Sequence, residues 1–192
     1  MTGSGQQTTP AIAPGTSFVA HMAPPRAGTF IYHTHWHDQQ QLENGVYGPL
    51  IVLEPGQKYD PGHDKTFVFG IGRYAPFGSM LIVNGTPEPD PMELKTGTRY
   101  RLRLINITTN ESDLRVRLEG EGAPVQWKVI ASDGVDLPAA QLKSSAADMG
   151  LTVGSTRDIE YESDREGHVE MRISAPGFEA LIMQPFDIVS VK

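Results

Sequence analysis

Apolar and polar residues alternate over short stretches along most of this chain. Tyr100, Leu102, Leu104 and Asn106 share one face of an extended segment whose other face carries Arg99, Arg101 and Arg103. That period of two is the signature of a strand with one face against a core. Leu114, Val116 and Leu118 oppose Arg115 and Arg117 in the same way. Further strands are predicted at Ser17–Met22, Thr29–His35, Val46–Leu53, Thr66–Ile71, Met80–Val83, Val125–Ile130, Leu151–Val153, Asp158–Tyr161, Val169–Ile173 and Ala180–Val191. Turn-forming pairs such as Asn84-Gly85, Thr96-Gly97, Asp133-Gly134 and Pro176-Gly177 punctuate them. Many short strands at this spacing predict an all-β sandwich or barrel. Only Ala139–Asp148 leaves room for a brief helix, and the acidic pair Asp158 and Glu160 is expected on a solvated strand face.

The polar stretch Glu54–Lys65, EPGQKYDPGHDK, contains two Pro-Gly breaks and reads as a linker. Enough strands follow it for a complete sandwich. About three precede it, too few to bury both faces of a sheet, so their edges are expected to seek partners, including second copies of this chain.

Composition narrows the function classes. The 192 residues are 39% hydrophobic and 20% charged, which fits a globular chain with a real core. A net charge of −7 with no basic cluster removes the main driving force for binding nucleic acid. No run approaches the roughly 18 apolar residues of a membrane-spanning helix, and MTGSGQQTTPAIAPG has neither the basic start nor the apolar stretch of a signal peptide. Cysteine is absent, which excludes disulfides, thiolate zinc sites, iron–sulfur ligation and cysteine nucleophiles from this chain.

The remaining chemistry lies in the histidines. Five of the six precede residue 64, and three cluster in AGTFIYHTHWHDQQQLENGVYGPLIV, Ala27 to Val52. In an extended strand His33, His35 and His37 would share one face, with successive Cα atoms about 6.6 Å apart. Imidazoles so placed can bind one metal or serve adjacent metals, and they suit copper, zinc, iron or nickel. The same alternation also occurs on a solvated strand face. His21, His63 and His168 are expected at the surface.

GTFIYHTH followed by GVYGPLIV resembles the second copper motif of the multicopper oxidases, the laccase-like family. IAPGTSFVAHMAPPRAGTF before it, and LIVNGTPEPDPMELKTGTRYRLRLINIT and VIASDGVDL after it, are similar to the flanking parts of that family, so the resemblance covers essentially the whole chain. It implies an all-β, cupredoxin-like Greek-key sandwich. Residues 1–57 would be the C-terminal part of a first cupredoxin-like domain carrying one copper-binding HxH motif, and residues 58–192 a complete, copper-free second domain. It also implies that His33 and His35 each bind one copper of a type 3 pair, within a cluster that reduces dioxygen to water. His37 falls outside the two-histidine pattern and is expected to be exposed or to support the ligands from behind.

The family's other three histidine motifs and its blue-copper cysteine have no counterpart here. The resemblance therefore implies a fragment that is inactive by itself, with the missing oxidase domains as partners and a periplasmic or extracellular parent. Two alternatives fit the same residues. One is a non-catalytic cupredoxin-like structural or binding module, indifferent to loss of both histidines. The other is a cupin-type mononuclear metal protein, with His35, His37 and Glu43 near the first cupin motif but five residues between His37 and Glu43 where three or four are wanted.

Overall fold

The computed structural model describes residues 12–76, 78–109, 113–175 and 182–191. The expected Pro176-Gly177 turn and the first residues of the expected strand Ala180–Val191 lie outside them. Fifteen strands are formed among the described residues: β1 Gly28–His33, β2 Tyr47–Val52, β3 Asp64–Tyr74, β4 Gly78–Val83, β5 Met92–Lys95, β6 Tyr100–Asn106, β7 Leu114–Gly120, β8 Ala123–Pro124, β9 Gln126–Ser132, β10 Val135–Asp136, β11 Ser144–Ala146, β12 Asp148–Leu151, β13 Thr156–Tyr161, β14 Gly167–Ser174 and β15 Ile182–Val189. One short helix, α1, spans Asp38–Glu43.

β1 and β2 form a separate antiparallel ribbon. The other strands make two packed sheets. One runs β10-β9-β13-β6-β3-β4 with β11 added on β9; the second runs β12-β7-β14-β15-β5 with β8 added on β7. Pairing is antiparallel except for β3 with β6 and β15 with β5.

The alternation in the sequence explains the packing. Tyr100, Leu102 and Leu104 of β6 enter one core with Phe67, Phe69 and Ile71 of β3 and, from the opposite sheet, Leu114, Val116 and Leu118 of β7 and Phe186 of β15. Phe67 and Phe186 meet edge to face across the two sheets, centroids 5.8 Å apart, an arrangement aromatic quadrupoles favour. Asn106 continues the inward row and is wholly buried. Its amide donates to the Leu151 carbonyl at 2.7 Å, and its Oδ1 accepts from the amide and hydroxyl of Thr108, so this polar group enters the core without an unpaired atom cost.

Four expectations are corrected. Ser17–Met22 forms no strand and is exposed; its few apolar residues have no neighbouring strand to complete a ladder. Ala139–Asp148 holds only a 3-10 turn at Ala139–Gln141, after which the chain is captured by β9 and β7 as β11 and β12. The strand expected over Thr29–His35 ends at His33. Asp158 is not solvated: it is 1% exposed. The outer face of β6 is covered by the β1–β2 ribbon, and Arg103, placed by pattern on a polar face, is buried there as well.

Candidate metal centre

The ribbon carries the histidines, and its seat on the sandwich fixes where they project. Thr29 faces the sheet and is buried. Its hydroxyl donates to Asp158 Oδ2 at 2.9 Å and accepts from Arg103 Nη1 at 2.8 Å, while Thr156 Oγ1 donates to the Thr29 carbonyl at 3.0 Å. Two residues on, Ile31 packs with Tyr47 against the apolar cluster of Leu42, Val68, Ile105 and Ile107. Arg26 donates to the carbonyls of Gly134 and Asp133 and lies 5.6 Å from the Phe30 ring centroid. Glu43, at the end of α1, is buried and receives Arg73 Nε of β3 at 2.5 Å. Polar and apolar contacts thus hold the ribbon at both ends.

His33 is the last paired residue of β1, opposite Tyr47, and is exposed beyond the rim of this seat. His35 follows in the loop. The two rings lie side by side with centroids 4.6 Å apart and an interplanar angle of 35°. His33 Nδ1 is 2.8 Å from the Thr34 carbonyl. A carbonyl only accepts, so this bond places the proton on Nδ1 and leaves Nε2 of the neutral ring with a free lone pair. Ligating histidines are held in this way, by a hydrogen bond on the other ring nitrogen.

The expected three-histidine face does not form. His37 caps the N-terminus of α1 from the left-handed region, φ 46° and ψ 47°, a conformation histidine tolerates better than most residues. Its ring packs edge-on against Trp36, 5.2 Å away. The turn into the helix breaks the strand period after His33, so the structure brings His33 and His35 together and sends His37 elsewhere. With Leu42 the one apolar residue among the six of α1, the segment has no amphipathic period; the signal that could have located its end is Asn44-Gly45, where Gly45 has φ 83°.

Glu43 faces Arg73 rather than His35 and His37, which removes the geometry a cupin-type site needs. Among the described residues no three histidine, cysteine, aspartate or glutamate side chains are arranged to hold a metal ion. The His33–His35 pair nevertheless fits copper by donor type, being two accessible imidazoles with one coordinating nitrogen oriented by its neighbour. Both rings border a cleft of about 430 Å³ that Met22, Phe30, Tyr32 and Leu50 make mainly apolar.

The remaining histidines lie at the surface. His63 pairs with Asp60. On β14, His168 Nδ1 is 3.1 Å from Asp187 Oδ1 of β15 and Nε2 is 3.5 Å from Glu170. The bond to Asp187 raises the His168 pKa above the ordinary 6.5, against a smaller opposing effect of desolvation. A raised folded value means that this stabilisation is fully present below about pH 6.5 and is lost as pH rises through the folded pKa; exposure leaves it screened by salt. NMR titration should place the ring's midpoint above 6.5 and move it down in Asp187→Asn. A wild-type midpoint at or below 6.5 contradicts the pairing.

Two packed sheets of short strands, with a histidine-bearing ribbon laid on one outer face, define a cupredoxin-type β-sandwich. A solved structure described as a multicopper oxidase superposes with a TM-score of 0.75 at 20% identity, covering 93% of this chain and 62% of that one. Lac15 from a marine microbial metagenome superposes with a TM-score of 0.70 at 25% identity, covering 98% and 49%. The family model described as multicopper oxidase matches residues 1–57. Laccase-2 of Trametes villosa is 26% identical over 182 residues, spanning 75% of this chain and 33% of the laccase. Laccase-3 of Thanatephorus cucumeris is 27% identical over 172 residues, spanning 73% and 28%. The multicopper oxidase likeness thus rests on the family model over residues 1–57 and on these laccases, of whose length the chain spans about a third.

Proposed function

We propose that this chain supplies part of a copper-dependent oxidase that couples oxidation of small reductants, phenols or metal ions, to reduction of dioxygen to water. The observation that carries this reading is the adjacent pair of accessible imidazoles at the end of β1, 4.6 Å between centroids. His33 and His35 are the ligands, each offering one ring nitrogen to a type 3 copper. The chemistry copper supplies when bound is one-electron exchange between reductant and dioxygen. The chain's own residues hold the two rings, orient His33 through its Nδ1 proton, and border the site with apolar side chains that limit water on that side.

Two imidazoles do not complete such a site, and no cysteine is present for a blue copper. We therefore assign the other ligands and the electron-entry site to further oxidase domains, and take the chain alone to be catalytically silent. Residues 1–57 would be the end of a first cupredoxin-like domain and 58–192 a copper-free second domain. The unpaired edges of the β1–β2 ribbon would meet those domains or a second copy of this chain, in a protein that works in the periplasm or outside the cell.

The test is copper retained per chain after reconstitution and desalting. Wild type should retain copper, and His33→Ala/His35→Ala should lose it, with Cu(II) affinity falling by more than the roughly 10–100-fold that loss of an outer hydrogen-bond partner costs. Equal retention by both would overturn the ligand assignment; an empty wild type would favour the non-catalytic structural module.

A further inference from the structure

Thr34 stands between the two histidines, and every polar group it has is engaged. Its amide donates to the Val46 carbonyl at 3.2 Å. Its carbonyl accepts from His33 Nδ1. Its hydroxyl accepts from the Trp36 amide at 3.2 Å and donates to Gln41 Oε1. Thr34 and Gln41 are both half-buried, whereas His33 and His35 are exposed.

Gln41 in turn closes the loop from both ends. Its amide donates to the His37 carbonyl at 3.0 Å, and its carbonyl accepts from Val46 at 3.0 Å and Asn44 at 3.2 Å. The segment from Thr34 to Val46 is therefore tied at Thr34–Val46, at Gln41–Val46 and at Thr34–Gln41. The last tie alone is made between two side chains, and it alone links α1 to the residue between the histidines. Ordinary strand pairing cannot set the His35 ring, because β1 ends at His33. Something else must hold His35 beside His33, and the Thr34–Gln41 bond is the contact placed to do it.

We propose that Gln41 and Thr34 are positioning residues for the histidine pair. Gln41 accepts the Thr34 hydroxyl proton, which fixes the Thr34 backbone on both sides and so sets the His33 and His35 rings at the separation and tilt in which they can serve neighbouring copper ions. Neither residue touches the metal. The assignment of copper rests on the function proposed above, whereas the assignment of ring geometry does not.

The experiment separates the two. In the copper-free full chain, cross-relaxation between the ring protons of His33 and His35 is measured by NMR, with the amide spectrum of β6, β7 and β14 as the check that the sandwich is intact. Wild type shows the ring–ring contact. Gln41→Ala, which favours helix at that position, and Thr34→Val, which keeps the shape and removes the hydroxyl, lose it. Gln41→Glu and Thr34→Ser keep an acceptor and a donor and retain it. A competition titration with Cu(II) then finds Gln41→Ala about 10–100-fold weaker than wild type and Gln41→Glu close to wild type. A Gln41→Ala protein that keeps both the ring–ring contact and wild-type copper affinity overturns the proposal. If wild type binds no copper, the copper reading falls, and the ring–ring contact by itself decides the positioning role in either direction.

Discussion

Asp158→Ala is expected to cost about 3–5 kcal/mol of folding stability, the loss typical of breaking a buried ion pair by removing one partner. The carboxylate is 1% exposed, and its Oδ2 accepts from Thr29 Oγ1, from Arg101 Nε at 2.8 Å and from Arg103 Nη1 at 2.9 Å. Oδ1 is buried without a hydrogen-bond partner, so all of the residue's anchoring runs through one oxygen. In Asp158→Ala the Arg103 side chain, itself 5% exposed, keeps Asp64 but loses the charge on the other side, and Thr29 loses its acceptor. For a chain of this size the midpoint of thermal unfolding should fall by roughly 10 °C. A single-variant cost within about 1 kcal/mol of zero would mean that the cluster is hydrated and loosely held.

Gly28→Ala should unseat the ribbon and leave the sandwich folded. Gly28 has φ +149° and lies against Gly134, so a Cβ there would stand 2.5 Å from the Gly134 carbonyl oxygen and 2.7 Å from its Cα. Those are backbone atoms and cannot swing aside. Gly134 is constrained in return: at φ +72°, a Cβ would meet the Phe30 ring at 2.5 Å. Backbone strain and overpacking together are worth about 3 kcal/mol, and a two-stranded ribbon without support is marginal in water. Amide exchange in β1 and β2 should accelerate about a hundredfold, with β6, β7 and β14 unchanged, and the His33–His35 ring contact should disappear with the seat. Uniform acceleration throughout the chain would show instead that ribbon and sandwich unfold as one unit.

These two variants mark where the sequence was legible. The all-β architecture and most strands could be read because one-sided burial writes itself as alternation, and the inward row of Tyr100, Leu102, Leu104 and Asn106 is buried as that pattern requires. The outward row could not be resolved in the same way. Arg101 and Arg103 facing Asp158 look identical in sequence whether water or a second layer covers them, since a charged pair satisfies either environment. Only the position of Thr29, 129 residues from Asp158 in the chain, shows that the layer exists.

The histidine site divides along the same line. The sequence by itself determined the donor types, their association with a β-strand, the absence of cysteine ligands from this chain and the family that the motif resembles, because these depend on residue identity and short spacing. Tertiary structure decided which histidines meet. A strand that stops at His33, a left-handed His37 and a side-chain bond from Thr34 to Gln41 select two rings out of three. Strand period is a local property of the backbone, but where a strand ends is set by the contacts its neighbours can offer, and here those contacts come from α1 and from the sandwich beneath it.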